Sequence, residues 1–264
     1  RDDVGRLDVD GITSALEDLG GAPAILIGNA GEVNAGDFDP ISEMADLAER
    51  FGCWLHVDGA FGLFARATPR TAALGEGIDR ADSVIADGHK WLNVPYDCGF
   101  AFVRDMSLVG SAFRADAAYL PDPDDARPTI GYFSPEMSRR ARSLAVWTTL
   151  RAAGRAGYRE MIERHLDLAA HLARRVEDHP DFELLAPAKL NIVCFRHAPS
   201  GMGEPELDEH NRRLGEALLA DGRVFAGTTR YGGKIAFRPA ISNWRTKQAD
   251  VDLLFEVIEE LAAA

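Results

Sequence analysis

The sequence predicts an α/β fold, a mostly parallel sheet covered by helices, followed by a smaller C-terminal α+β domain. Strand and helix signals alternate through the first hundred residues, the pattern that crossover-connected parallel strands require. Three short apolar runs, at residues 24–28, 53–58 and 83–87, each end in Gly or Asp. From residue 182 onward the pattern changes to short strands around 190–195 and 234–238, set between helices around 205–220 and 247–262. The larger unit is read as residues 1–155 and the smaller as 156–264.

Taken in order, Ala24-Ile25-Leu26-Ile27-Gly28 reads as a buried strand. Asp39 is expected to cap a helix with Pro40 at its first position, and Ile41, Met44, Leu47, Ala48 and Phe51 then recur at helical spacing until Gly52. Strands are expected at 53–58, 83–87 and 99–103. Between 115 and 135, Pro121, Pro123 and Pro128 with Asp122, Asp124 and Asp125 break every periodicity, so the segment reads as a loop, either a plain linker or a mobile lid. Helices follow from 135 to 154 and from 157 to 178. In the second, Tyr158, Met161, Ile162, His165, Leu168, Leu172 and Val176 broadly face one way. His165 and His171 are six residues apart, share a face poorly, and read as surface or boundary histidines rather than ligands.

Composition excludes several function classes. With 264 residues, 46% apolar and 27% charged, the chain is ordinary globular material with enough length for one large core or two modest ones. Its net charge of −13 repels polyanions, so no nucleic-acid partner is expected. Cys53, Cys98 and Cys194 are three cysteines at wide spacing with no CxxC pair, which indicates neither a disulfide framework nor a zinc site and fits a reducing cytoplasm. No apolar run has membrane-spanning length, and no membrane partner is expected.

The chemistry is concentrated at two strand ends. Only four of the 29 basic residues are lysines, and one of them, Lys90, follows the apolar run 83–87 in Ala86-Asp87-Gly88-His89-Lys90-Trp91-Leu92. Upstream, Trp54-Leu55-His56-Val57-Asp58-Gly59-Ala60 places Asp58 at the end of another apolar strand. Taken singly, a lysine after a strand is a solvated end and Asp-Gly is a turn. Together, about one βαβ unit apart, they suit pyridoxal phosphate. A lysine amine condenses with the cofactor aldehyde, and an aspartate keeps the pyridine nitrogen protonated so that the ring acts as an electron sink. Ligands of such sheets bind beyond the carboxyl ends of the strands, where both residues fall.

Around these motifs the chain resembles the pyridoxal-phosphate-dependent group II amino-acid decarboxylases, which include the aromatic amino-acid, glutamate and histidine decarboxylases. The resemblance extends through Gly5-Arg6-Leu7-Asp8-Val9-Asp10, Gly31-Glu32-Val33-Asn34-Ala35-Gly36-Asp37-Phe38-Asp39, Asp97-Cys98-Gly99, Ser138-Arg139-Arg140-Ala141-Arg142, Asn191-Ile192-Val193-Cys194-Phe195-Arg196 and Ala236-Phe237-Arg238-Pro239-Ala240-Ile241. It implies the aminotransferase-like fold type I of pyridoxal-phosphate enzymes, with the strand at 99–103 antiparallel. The family's enzymes are nearly twice this long. The part that would precede Arg1 carries, in the family, a Gly/Ser-rich helix start that holds the cofactor phosphate and a histidine that stacks on its ring. Neither is found here, so this chain alone is expected to form an incomplete site.

The resemblance assigns roles residue by residue. Lys90 is implied to hold the cofactor, Asp58 to pair with the pyridinium, and Ala60 to lie flat against one ring face. His89 is implied to contact phosphate or the substrate carboxylate. Asp87 departs from the family, which frequently has an uncharged residue there. A carboxylate beside a phosphate needs an offset, and Arg238 is the candidate. The segment 115–135 is implied to close over an amino-acid substrate, with Tyr132 the nearest candidate for a tyrosine brought to the reacting carbon, although its spacing to Arg139-Arg140 is shorter than the family's. The implied assembly is a homodimer, possibly of two-chain protomers with a separate N-terminal chain. Two function classes stay open: a decarboxylase part that needs its missing half, and a non-catalytic remnant that keeps the fold. Aminotransferases and lyases share the architecture, so within the first class the decarboxylase reading rests on the His-Lys-Trp and Ser-Arg-Arg-Ala-Arg segments.

Overall fold

The computed structural model describes residues 5–114 and 130–264. The first sheet comprises β1 (Ile25–Asn29), β2 (Trp54–Asp58), β3 (Ser83–Asp87) and β4 (Gly99–Val103), hydrogen-bonded in that order. β1, β2 and β3 are parallel, and β4 returns antiparallel beside β3. The register sets Asn29 opposite Asp58 and Asp58 opposite Ile85, so the carboxyl ends of the three parallel strands lie side by side.

Helix α1 (Val9–Asp18) is capped by Asp8, whose side chain accepts from the Gly11 N–H. Helix α2 (Ile41–Phe51) buries Ile41, Met44, Leu47 and Ala48 against the sheet and stops at Gly52 in the left-handed conformation. Two expectations need correction in this region. Asp39 does not cap α2; its carboxylate accepts from the backbone N–H groups of Leu7 and Asn29 at 2.8 and 2.7 Å, tying the end of β1 to the start of the chain. Nor is β1 buried on both faces, because Ile25 and Ile27 are 66% and 56% exposed while Leu26 packs inward. The sheet carries helices on one side only among the described residues. Its other side is open and apolar at Ile25 and Ile27.

After helix α3 (Met106–Phe113), the long helix α4 (Arg142–Asp178) joins the two halves. The helix expected from residue 135 begins only at Arg142, because Ser134 and Glu136 form a hydrogen-bonded turn instead. At Gly154, φ 63° and ψ 178° interrupt α4, a backbone conformation that a side chain would strain. Beyond the kink, Ile162 and Leu166 pack into the first core and Leu168, Leu172 and Val176 into the second.

The second core lies under an antiparallel sheet of β5 (Phe182–Leu184), β6 (Phe195–His197), β7 (Thr228–Tyr231) and β8 (Lys234–Phe237) in the order β5-β6-β8-β7. Helices α5 (Glu204–Asp221) and α6 (Gln248–Ala262) cover it. The strand expected over 190–195 is regular only from Phe195. Before it, Ile192 makes a single bridge to Ala240, since Asn191 is engaged with the 241 backbone through its side chain. Among the described residues no helix is long and apolar enough to cross a membrane.

Candidate functional site

A cleft of about 570 Å³ opens between the carboxyl ends of the parallel strands and the small-domain segment 238–242. Lys90, Asp58, Ala60 and Phe61 line it from the sheet side, Glu32 and Asn34 from the turn after β1, and Arg238, Ala240 and Ser242 from the small domain. The turn after β1 reaches this position by backbone contact. A Cβ on Gly31 would stand 2.7 Å from the Gly62 Cα, and one on Gly62 would stand 2.5 Å from the Ala30 carbonyl oxygen.

Asp58 sits at the last position of β2. One carboxylate oxygen accepts from the Ala60 N–H at 3.0 Å, and the other has no partner among the described residues. That leaves an acceptor aimed for a cationic N–H. Lys90 stands three residues past β3, and its Nζ lies 2.7 Å from the Asp87 carboxylate. Asp87 also lies 3.8 Å from His89 Nε2. The expected offset of Asp87 by Arg238 is therefore corrected. The ammonium of Lys90 pairs with Asp87, while Arg238 reaches across the cleft entrance and donates from Nε to the Val33 carbonyl at 3.1 Å.

His89 does not line the cleft. Its Nδ1 faces the Cys98 backbone, 2.7 Å from the carbonyl and 3.1 Å from the N–H, and its ring rests on Tyr96 with centroids 4.2 Å apart. Tyr132 is not brought to Lys90 either. It is 5% exposed in the turn Ile130–Phe133, which packs on α3, and that packing holds its ring away from the cleft. Most of the proposed lid, 115–129, lies outside the described residues.

Of the further motif segments, 31–39, 191–196 and 236–241 contribute to this cleft, while 97–99 and 138–142 meet each other. Arg142 binds Asp97 through two hydrogen bonds, 3.3 and 3.1 Å, joining the start of α4 to the loop before β4 and holding the Asp97 carboxyl below its ordinary pKa. Cys194 is buried beneath the cleft, and desolvation, then the charge of Glu32, pushes its thiol up to about 12. It is neutral at physiological pH and no nucleophile.

Two residues that hold the site were not read as such from the sequence. Trp91 is fully buried, stacks on Phe61 at 5.8 Å, and donates from its indole to His165 Nδ1 at 3.0 Å; His165 Nε2 in turn meets the Asn243 carbonyl at 3.0 Å. His165, expected at the surface or boundary, has no exposed area, and burial drives its pKa down to about 4. The signal was present in the stripe Met161, Ile162, His165, Leu168, which puts position 165 on the buried face. The second is Asn93, whose side chain binds backbone groups of residues 91, 242 and 244. Nothing in its local sequence pattern marks it.

An amine, a carboxylate with a free oxygen and a guanidinium thus converge on one cleft, the donor set for an anionic aldehyde cofactor with a basic ring nitrogen. Residues 11–198 match the sequence profile of the pyridoxal-dependent decarboxylase conserved domain. The chain belongs to this family. It is 31% identical to an aromatic-L-amino-acid decarboxylase of Bacillus atrophaeus over 97% of its own length and 55% of that protein. It is 30% identical to tyrosine decarboxylase 2 of Arabidopsis thaliana, over 91% of its own length and 45% of the relative's. A 3,4-dihydroxyphenylacetaldehyde synthase of Drosophila melanogaster is also 30% identical, over 95% of the chain and 49% of that protein. Among solved structures, that of Oryza sativa TDC with PLP and tryptamine superposes with a TM-score of 0.91 at 27% identity, covering 98% of this chain and 55% of the other. Mouse CSAD superposes equally well, with a TM-score of 0.91 at 27% identity over 99% of this chain and 57% of the other. The fold is accordingly that of the pyridoxal-phosphate decarboxylases, and the cofactor is pyridoxal 5′-phosphate. The chain spans about half the length of the relatives it matches. The cleft fits the cofactor's ring end. No residue from the first turn of an α-helix lines it, so the phosphate-holding helix start is not among the described elements.

Proposed function

We propose that the chain is the cofactor-bearing part of a carboxy-lyase that converts an L-amino acid into the corresponding amine and carbon dioxide, a proton taking the place of the lost carboxylate on Cα. The observation that carries this reading is the presence of Lys90 and Asp58, from adjacent parallel strands, in one cleft. Pyridoxal phosphate, when bound, supplies an aldehyde to hold an amino group and a ring that takes up the electron pair left when carbon dioxide departs. Lys90 anchors the cofactor covalently and yields its place to the substrate's amino group. Its Nζ lies 2.7 Å from the Asp87 carboxylate, so Asp87 must give up that partner when the linkage forms. Asp58 holds a proton on the ring nitrogen through a charge-assisted hydrogen bond. Ala60 supplies a flat wall, and Arg238 offers its terminal nitrogens to an anion.

Exclusion of water from the site favours loss of a charged carboxylate, a part that the resemblance gives to the segment 115–135, most of which lies outside the described residues. Tyr132 would act there only from another position than the buried one, or in the site of a second subunit. The working unit is a cytoplasmic homodimer completed by an N-terminal portion, and relatives named for aromatic substrates make aromatic L-amino acids the first class to test. The test is carbon dioxide release from a panel of aromatic and acidic amino acids, with the organic product identified. Stoichiometric amine supports the reading. Aldehyde in place of amine, or transamination without carbon dioxide, contradicts it.

A further inference from the structure

Among the described residues, Asn93 is alone among non-glycine residues in having a positive φ, 56°. Asparagine tolerates the left-handed region better than most residues, but glycine fits it without strain, so what asparagine adds is its amide. That amide is fully used. Nδ2 donates to the Trp91 carbonyl at 2.9 Å and to the Ser242 carbonyl at 2.8 Å, and Oδ1 accepts from the Trp244 N–H at 3.0 Å. Two donors meet two carbonyls and the oxygen meets an N–H, leaving neither donor unpaired.

The backbone of Asn93 closes the turn that carries Lys90. Its N–H donates to the Lys90 carbonyl at 3.1 Å, and the Lys90 N–H donates to the Asp87 carbonyl at 3.3 Å. Ser242 lies on the opposite wall of the cleft from Lys90. One side chain thus spans from the lysine turn to the facing wall, across 149 residues of sequence. The neighbouring tie, Trp91 to His165 to the Asn243 carbonyl, runs through a side chain of α4; the Asn93 tie is direct.

We propose that Asn93 is a positioning residue: it sets the separation and orientation of the Lys90 turn relative to the wall at Ser242, and thereby the angle at which the Lys90 amine enters the cleft. This rests on Lys90 being the cofactor lysine. Asn93 touches neither cofactor nor substrate in this account. Its effect reaches the chemistry through Lys90.

The experiment uses the holoenzyme, with the N-terminal portion present, and begins with borohydride reduction and peptide mapping of the parent. A parent that carries no label on Lys90 removes the foundation and overturns the proposal with it, whereas a labelled Lys90 leaves the result to the variants. Asn93→Gly keeps the backbone geometry and removes the three bonds to the backbone together with the weaker Nδ2 contact to Met161 Sδ at 3.6 Å. Asn93→Asp turns the donor into an oxygen that faces two carbonyls. Asn211→Ala is the control, since Asn211 makes three buried hydrogen bonds within the small domain, away from the cleft. In both Asn93 variants Lys90 stays labelled, the pH midpoint of the lysine-bound cofactor absorbance moves by about half a unit or more, and kcat falls about tenfold or more with KM little changed. Asn93→Asp is the more severe, and should it fail to fold, Asn93→Gly decides. The control loses thermal stability but keeps the parent's midpoint and kcat within about twofold. Asn93→Gly with a lowered melting temperature but the parent's absorbance midpoint and kcat would show a merely structural residue and overturn the proposal.

Discussion

Asp58 combines two demands in one carboxylate, since one oxygen is fixed by the Ala60 N–H while the other stays available in the cleft. Replacing it with alanine is expected to leave some cofactor bound and to lower kcat by about a hundredfold or more, the range found when one charge-stabilising group is removed from an active site. Activity within a few-fold of the parent would require another group to protonate the ring. His165 gives a pH prediction. It is buried as the neutral ring, accepting from the Trp91 indole, and protonating its Nδ1 would set two N–H donors head to head. Its pKa falls from 6.5 unfolded to about 4 folded, so the unfolded state binds more protons between those values. The stabilisation it allows is complete above pH 6.5 and is lost as pH falls toward 4, to the extent of about 3 kcal/mol. Burial also lowers the pKa values of His197 and His210, so the parent's acid sensitivity has several sources. Comparing denaturant unfolding at pH 7 and pH 5 for the parent and for His165→Gln isolates this one: the variant loses less stability over that interval. Equal losses would show that His165 does not titrate there. The meeting of Lys90 and Asp58 in one cleft was legible in the sequence because Asp58 ends one apolar run and Lys90 follows another by three residues. Asn93 was not, because the partner that defines it lies about 150 residues away in the chain, and for His165 the helical stripe carried its burial but not its partner Trp91, about 75 residues away.

At the scale of elements, the kink in α4 is a single-residue device. Gly154 adopts φ 63° and ψ 178°, and no atom outside its own neighbours would contact a Cβ there, so substitution is penalised by conformation alone. Gly154→Ala should destabilise by about 1–3 kcal/mol. Gly157→Ala, in regular helix with only an ordinary contact to Ala153, should stabilise by up to about 1 kcal/mol. Chemical denaturation distinguishes the two, and equal effects would contradict the role given to the kink. Strand positions were readable from apolar runs, and α2 and the second half of α4 from their periodicity. Boundaries failed where a side chain found a tertiary partner in place of a local one. Asp39 looks like an N-cap but binds β1, and Asn191 looks like strand but holds residue 241.

For the whole molecule, the parallel sheet leaves an open face at Ile25 and Ile27, and the chain spans about half the length of the relatives it matches. The chain alone is expected to release carbon dioxide from no amino acid at an appreciable rate, and addition of the N-terminal portion to restore release. Robust activity of the isolated chain would contradict this. Sedimentation should show a two-fold assembly of the complete protein, and an active monomer would remove the dimer from the account. The central claim is that Lys90 carries the cofactor, and reduction of the holoprotein with borohydride followed by peptide mapping tests it most directly. The predicted result is a pyridoxyl label on Lys90 alone, abolished in Lys90→Ala. A label on Lys189, Lys234 or Lys247 with Lys90 unmodified would contradict it.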